Sequence, residues 1–482
     1  MSQWTIAEIL KAIEGSLIEG LPDDVVTGIS IDSRSIKPGE CFVAIKGEHH
    51  DGHRFIPEVV ERGVLGIVAS EEFYGDYAGV WNKKVSLISV KNTLKALGDL
   101  GAWRRHTMGI PVVAITGSNG KTTTKEITAA VLGQSFKVLA TAGNFNNLIG
   151  VPLTLLRLTD SHELAVVELG MNAPGEIRKL TEISRPNVGV ITNIGKGHLE
   201  GLGTIDGVMK AKGELFDGLG EDGVAIINMD DERVRALGEI FRGSTLSYGI
   251  ECRDADVTAK DIRSEGIGYS FHLATPDRTI QVRLPLAGRF NVRNALAAAT
   301  VGYHFKVPIQ KIRDGLEQIK PADKRMQIIR LANAVTVLND TYNANPESMS
   351  SAIETLCTLK RECRGIAVLG DMLELGDYSL KAHQEVGKQA AQSNLTHLFV
   401  TGDFAHVTAQ SSIDAGMDPK HVMVGTHEEI LDILRESLSP HDWILVKGSR
   451  GMAMEKIVEG LISIYGNKRS ENRGQRIENR KH

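Results

Sequence analysis

The stretch that most constrains this chain is VVAITGSNGKTTTK, residues 112–125. Its apolar start reads as a buried strand, Gly-Ser-Asn-Gly reads as a turn, and Lys121-Thr122-Thr123 opens a helix. That order builds a phosphate-binding loop. Glycines let the backbone approach an anion, amides at a helix start point at it, lysine adds charge, and a hydroxyl can hold Mg²⁺. Gly117, Ser118, Asn119, Gly120, Lys121, Thr122 and Thr123 are the expected phosphate contacts. The general pattern places a glycine five residues before Gly120, where this chain has Ile115. The loop alone does not separate a GTPase, a kinase, a motor and a ligase.

A chain of 482 residues exceeds a single hydrophobic core, and about two to four domains are expected. A net charge of −5 and a pI near 6.3 argue against nucleic-acid binding, so anionic ligands must be met by local clusters. The four cysteines have no metal-like spacing and read as free thiols in a reducing cytosol. The N-terminus lacks the apolar run of a signal peptide, and no window reaches the ~18 apolar residues of a membrane span. A cytoplasmic α/β protein is the expectation.

Residues 1–107 read as a small α/β domain. Apolar residues at helical spacing (Ile6, Ile9, Leu10, Ile13) precede Gly15 as a stop, and two short strands flank a Pro-Gly turn. Residues 108–320 read as a nucleotide-binding domain on a parallel sheet. Its strands LAVVEL and VGVITN end near Glu168 and run on to His198, and residues 251–286 suggest a β-rich excursion. From 321 to 465, four strands (AVTVLND, GIAVLGDM, HLFVTGD, DWILVKGS) alternate with helical stretches, a second doubly wound, Rossmann-like unit. Residues 466–482 are charged, and disorder is expected there.

In open α/β sheets ligands sit at the carboxyl ends of the strands. Glu168 and His198 therefore fall on the same edge as Lys121 and Thr122, and a carboxylate one strand from a phosphate loop is the usual partner of Mg²⁺. The third unit carries polar strand ends of its own: Asp340 to Asn345, Asp371, Glu374 with His383, and Lys447 to Arg450. They argue for a second binding surface. Lys210, Lys212 and Glu214 read on pattern alone as a surface ion-pair face. Asn291 and Asn294, at the start of an alanine-rich helix, read as helix caps or as donors to a purine edge.

Together these marks resemble the Mur ligase family, ATP-dependent enzymes that form amide bonds in peptidoglycan precursors. The resemblance spans the chain except its tail. It rests on GSNGKT at 117–122 without the upstream glycine, Glu168, Thr192-Asn193 with His198, Ala211-Lys212, and Gly288-x-x-Asn291-x-x-Asn294. The runs DTYNANPESM (340–349) and GDMLELG (370–376) with His383 resemble the branch acting on UDP-N-acetylmuramoyl-tripeptide and D-alanyl-D-alanine. At 324–325 this chain has Lys-Arg where the family commonly shows Gly-Arg.

The resemblance implies a monomer that uses ATP and two Mg²⁺ and activates a carboxylate as an acyl phosphate. Lys121, Glu168, His198 and Lys212 would be catalytic. Thr122 and Glu168 would hold one Mg²⁺, and His198 with a CO₂-carbamylated Lys212 the second. Ser33, Arg34 and Lys46 would meet the UDP end, while Asn144, Asn146, Asn147 and Thr192 would line the muramyl-peptide path. Asn291 and Asn294 would lie toward adenine, with Arg325 a further ATP contact. Asp340, Tyr342, Asn343 and Asn345 would face ribose, phosphate and the incoming dipeptide. Closure of the C-terminal domain about a hinge near 316–325 is expected. A nucleotide switch or motor is the rival outside the family, and it leaves the outer domains' polar strand ends without a purpose. Within the superfamily the rival is a folylpolyglutamate or cyanophycin-type synthetase, a type that lacks YNANP combined with the N-terminal Asp-Ser-Arg motif.

Overall fold

The computed structural model describes residues 3–47, 50–73 and 85–466. The tail expected to be disordered lies, apart from Gly466, outside the described residues.

Among the described residues, three large sheets of five, nine and six strands organise the chain, beside a two-stranded antiparallel pair of Trp4–Thr5 with Val25–Val26. The nine-stranded sheet places Val112–Thr116 between Leu164–Glu168 and Val188–Ile191, both parallel to it. These strands are β-branched, buried on both faces and bounded by polar turns, as a sheet covered by helices requires. After Val112–Thr116 the chain adds strands on one side and then on the other, so the strand order reverses there. A crevice opens at such a reversal, and the phosphate-loop sequence sits at its mouth. The β-rich excursion is an antiparallel extension, Val257–Glu265, Gly268–Ala274 and Thr279–Leu284, at the far edge.

Two apolar layers sandwich this sheet. One contains Val113, Ile115, Ile127 and the alanines of the helix Phe290–His304; the other contains Val112, Ala114, Val167 and Leu215. Successive strand residues face opposite layers, so Ile115 is core, with none of its surface exposed. At ~1.5–3 kcal/mol for a fully buried aliphatic side chain, each such residue weighs heavily against a marginal total stability.

The six-stranded sheet runs Gln327–Arg330, Thr336–Asp340, Trp443–Lys447, Gly365–Gly370, His397–Thr401 and Val422–Val424, parallel except for its first strand. The five-stranded N-terminal sheet has the parallel strands Ile29–Ser30, Cys41–Val43, Gly66–Ser70 and Ser86–Val90, with Ser16–Glu19 antiparallel at its edge. Its first helix spans Ile6–Ile13. The chain leaves that helix through Glu14 in the left-handed region (φ 51°), one residue before the expected stop at Gly15.

Candidate active site

The helix Lys121–Leu132 begins at Gly120, and no side chain among the described residues caps it. Its first-turn amides are therefore free to meet an anion, and the helix dipole favours one. Gly117 (φ 146°) and Gly120 (φ 81°) bend the backbone into this shape. A Cβ on Gly117 would lie 1.9 Å from Thr192 Oγ1, and one on Gly120 would lie 2.5 Å from Asn294 Oδ1. Both positions therefore require glycine on conformational and steric grounds.

The loop is braced from the neighbouring strand. Asn193 accepts from the Ser118 and Asn119 backbone amides, and Ser118 Oγ exchanges hydrogen bonds with Gly195 N and O at 2.8 and 3.1 Å. Thr192 Oγ1 donates to Asn119 O at 2.6 Å. That hydroxyl is committed to holding the loop, although Thr192 also borders the cavity beside it.

The cavity, of about 650 Å³, is walled on one side by the loop and on the other by the strand ends of the six-stranded sheet. A volume in this range suits a ligand-binding site. Of the residues singled out in the sequence, Ser118 to Lys121, Thr123, Asn144, Asn146, Glu168, Thr192, His198, Asn291, Asn294, Arg325, Asp340, Tyr342, Asn343 and Asn345 line it. Gly117, Thr122, Asn147 and Lys212 stand behind the lining or beside it, and Ser33, Arg34 and Lys46 belong to the N-terminal unit and do not border it.

Lys121 Nζ donates to Gly117 O at 2.8 Å, folding the side chain back over its own loop. Desolvation lowers its pKa from the ordinary lysine value, and Glu168 opposes that shift. Glu168 is 1% exposed and accepts from Asn146 Nδ2 at 2.8 Å through Oε1. Its Oε2 and the Thr122 hydroxyl are both buried without a hydrogen-bond partner among the described residues. Two orphaned oxygens beside a phosphate loop are what Mg²⁺ would satisfy. Among the described residues no group of three or more His, Cys, Asp and Glu is arranged for a metal. A Mg²⁺ ion held by one carboxylate, one hydroxyl, phosphates and water needs none.

Lys212 corrects the pattern-based reading of a surface ion-pair face. It is 1% exposed and has no salt bridge among the described residues, while Glu214 accepts instead from the Gly175 and Arg178 amides. Burial, then the charge of Lys121, hold the Lys212 amine well below the lysine range. Asn291 and Asn294 do not cap their helix: Asn291 Nδ2 donates to Ala287 O at 2.7 Å and Asn294 Nδ2 to Asn291 Oδ1 at 2.8 Å. Asn294 of this pair packs against the loop at Gly120.

On the opposite wall Arg325 lies 3.9 Å above the Tyr342 ring, a cation–π stack. It is flanked by Lys324 (φ 57°) and Met326 (φ 47°), non-glycine residues in the left-handed region that cost about 1–3 kcal/mol each. The strain is held in place by Lys324 Nζ on Glu455 at 2.9 Å and by Met326 N on Asp340 Oδ1 at 3.0 Å. Asp340 also pairs with the buried Lys447, which donates to Asn343 O as well. Asn147 holds the turn into the helix Gly150–Leu155 by accepting from the Ile149 and Gly150 amides. Arg34 pairs with Asp32 at 2.9 Å and is otherwise in solvent, and Lys46 lies 5.7 Å from the Phe73 ring centroid.

The sequence reading missed the bonds that join the two walls. His198 Nδ1 lies 2.7 Å from Glu374 Oε2, and this pair holds the Glu374 carboxyl below its usual range. Lys196 N donates to Glu347 Oε1 at 3.1 Å, and Lys196 Nζ donates to the Tyr378 hydroxyl at 2.7 Å. Asn345 Nδ2 donates to Asn119 Oδ1 at 2.8 Å. The one available signal was a cluster of polar strand ends on each unit. His383, grouped with Glu374 in the sequence, lies apart in a small pocket of its own unit. There Nδ1 donates to Ser379 O and Nε2 accepts from Met372 N.

Comparison with known proteins gives these geometries a family. Three descriptions match in succession: "Mur ligase family, catalytic domain" over residues 25–105, "Mur ligase middle domain" over 115–302, and "Mur ligase, glutamate ligase domain" over 324–450. The UDP-N-acetylmuramoyl-tripeptide–D-alanyl-D-alanine ligase of Escherichia coli (strain K12) is 36% identical over 459 residues, covering 95% of this chain and 98% of that one. A crystal structure of MurF from Acinetobacter baumannii superposes with a TM-score of 0.87 at 34% identity, covering 96% of this chain and 99% of that one. MurF ligase from Thermotoga maritima, solved in complex with ADP, superposes with a TM-score of 0.80 at 28% identity over 91% of this chain and 97% of that one. With its phosphate loop, its three matched segments and relatives similar along nearly their whole length, the chain belongs to the Mur ligase family.

Proposed function

We infer that the protein is an ATP-dependent ligase that joins D-alanyl-D-alanine to the free carboxyl group of a UDP-N-acetylmuramoyl-tripeptide. One observation carries the reading: the phosphate loop and the polar strand ends of the C-terminal sheet line a single cavity and are bonded through Asn119 and Asn345. A hydrolase or switch has no use for that second wall. The relatives named for this reaction support the choice of substrates.

An amide does not form from a carboxylate and an amine in water unless the carboxylate is activated. Here the tripeptide carboxylate takes the γ-phosphoryl group of ATP, ADP leaves, and the dipeptide amine attacks the acyl phosphate with loss of phosphate. Little covalent work falls to the protein, so positioning and charge neutralisation carry the catalysis. The free amides of Gly120 to Thr123 and the Lys121 ammonium hold the β- and γ-phosphates. Arg325, fixed over Tyr342, supplies a further cation from the opposite wall. Thr122 and Glu168 would hold Mg²⁺, which neutralises phosphate charge when bound.

Lys212 fits the carbamate expected from the family. Only a neutral amine adds CO₂, and its burial beside Lys121 favours the neutral form. The resulting anion would face Lys121 and offer oxygen to a hard cation, with His198 as its neighbour in the second Mg²⁺ site.

Mass spectrometry of the product tests this function. The UDP-linked substrate should gain the mass of the dipeptide less one water, with one ADP formed per product. Formation of ADP without that gain would contradict the reading.

A further inference from the structure

Six carboxylates border the cavity, and four are committed. Asp230 accepts from three backbone amides and lies 3.3 Å from Arg293; Asp231 caps a helix and accepts from Ile194 N. Asp340 is bonded to Lys447 and to Met326 N, and Glu374 is paired with His198. Glu168 and Glu347 each keep one buried oxygen without a partner among the described residues. Glu168 belongs with Thr122 on the phosphate-loop wall. Glu347 forms no salt bridge among the described residues, and the Lys196 ammonium whose charge it feels is bonded to the Tyr378 hydroxyl instead.

Glu347 lies in the first turn of the helix Pro346–Lys360, on the C-terminal wall. Its Oε1 is fixed by the Lys196 amide at 3.1 Å. Its carboxylate packs over Gly195, where a Cβ would lie 3.1 Å from Oε2. Gly195 in turn bonds Ser118 of the phosphate loop through both its N–H and its carbonyl. The free oxygen is thus held against Gly195, one residue from the phosphate loop. An anion buried there without a partner carries a desolvation cost that a bound cation would offset.

We propose that Glu347 receives the ammonium group of the incoming dipeptide and sets its nitrogen toward the activated carbonyl, the nitrogen attacking once it has passed a proton to the Glu347 carboxylate. The assignment rests on the ligase reading above. It explains why the acceptor side of the reaction is built on the C-terminal wall: ATP and the acyl group occupy the loop side, and the amine approaches from opposite. A carboxylate also discriminates a charged amine from its uncharged analogues, because the analogue leaves a buried anion unpaired.

The test is steady-state kinetics of the full-length Glu347→Gln variant, with KM measured separately for ATP, UDP-N-acetylmuramoyl-tripeptide, D-alanyl-D-alanine and Mg²⁺. Gln keeps the shape and the acceptor for the Lys196 amide but loses the charge. The KM for the dipeptide should rise about tenfold or more, the effect of losing one charge-assisted hydrogen bond, while the other three shift less than about twofold. Propionyl-D-alanine, which lacks the amine, should inhibit the variant more strongly than wild type, because Gln leaves no anion unpaired beside it. An unchanged dipeptide KM, a common rise in all KM values, or a rise confined to Mg²⁺ would each overturn the assignment. Wild-type protein that makes no product from these substrates would overturn the ligase reading itself.

Discussion

The side-chain amide of Asn345 donates to Asn119 Oδ1 across 2.8 Å, so one residue both caps a C-terminal helix and touches the phosphate loop. Its Oδ1 accepts from Ser348 N at 2.9 Å, the capping half of the arrangement. The two duties separate in Asn345→Ser, since serine caps a helix comparably but is too short to reach Asn119. The melting temperature should stay within about 2 °C of wild type, while kcat/KM should fall about fivefold, the loss of roughly 1 kcal/mol of wall-to-wall bonding. Equal losses in both would show that the contact contributes nothing beyond the cap.

Lys121 Nζ is folded back onto its own loop, where desolvation disfavours its charge. Removing it should therefore spare the fold while removing a phosphate contact from the transition state. Lys121→Ala should lose about 10³-fold or more in turnover with an unchanged circular dichroism spectrum and no fall in melting temperature. Retained turnover would sink the phosphate-loop assignment.

For Lys212 the prediction concerns rescue. Lys212→Ala should be inactive, since it lacks the amine that would carry the proposed carbamate. Added short carboxylic acids such as acetate should restore part of the activity by supplying an oxygen anion in the vacated space. Assays across a range of acetate concentration decide it, and a flat response would remove the carbamate role.

His383 should make stability fall at mildly acidic pH. Burial lowers its pKa in the folded protein, so the folded state holds the neutral ring while the unfolded chain binds a proton below ~6.5. Protonating Nε2 would also displace the Met372 amide from it. The unfolded state therefore binds more protons as pH falls through ~6.5, and the stability fully present above that value is progressively lost. Urea unfolding at pH 7.5 and 5.0 should show a smaller loss for His383→Gln than for wild type. Parallel losses would place the pH sensitivity elsewhere.

The sequence is most informative where function depends on local order along the chain. A strand, a glycine turn and Lys-Thr are contiguous, so the loop, the acidic strand end at Glu168 and the polar ends at 340–345 could all be read from spacing. Burial that depends on packing could not. Lys212 looks like a surface lysine because its helix has charged residues on either side, yet it is buried and close enough to Lys121 to feel its charge. His383 follows GDMLELG closely enough to be grouped with Glu374 as a polar strand end, yet the chain turns through Gly376 and buries the ring in a separate small pocket. Glu347 and Glu374 meet Lys196 and His198 across more than a hundred residues of sequence, and only the docking of two sheets brings them together.

The central claim is that one cavity couples ATP to the joining of two particular molecules. Phosphate release from ATP, measured with each substrate omitted in turn, tests it most directly. Release should require UDP-N-acetylmuramoyl-tripeptide and D-alanyl-D-alanine together and should stay near background when either is absent. Release that proceeds at the full rate without one of them would contradict the account.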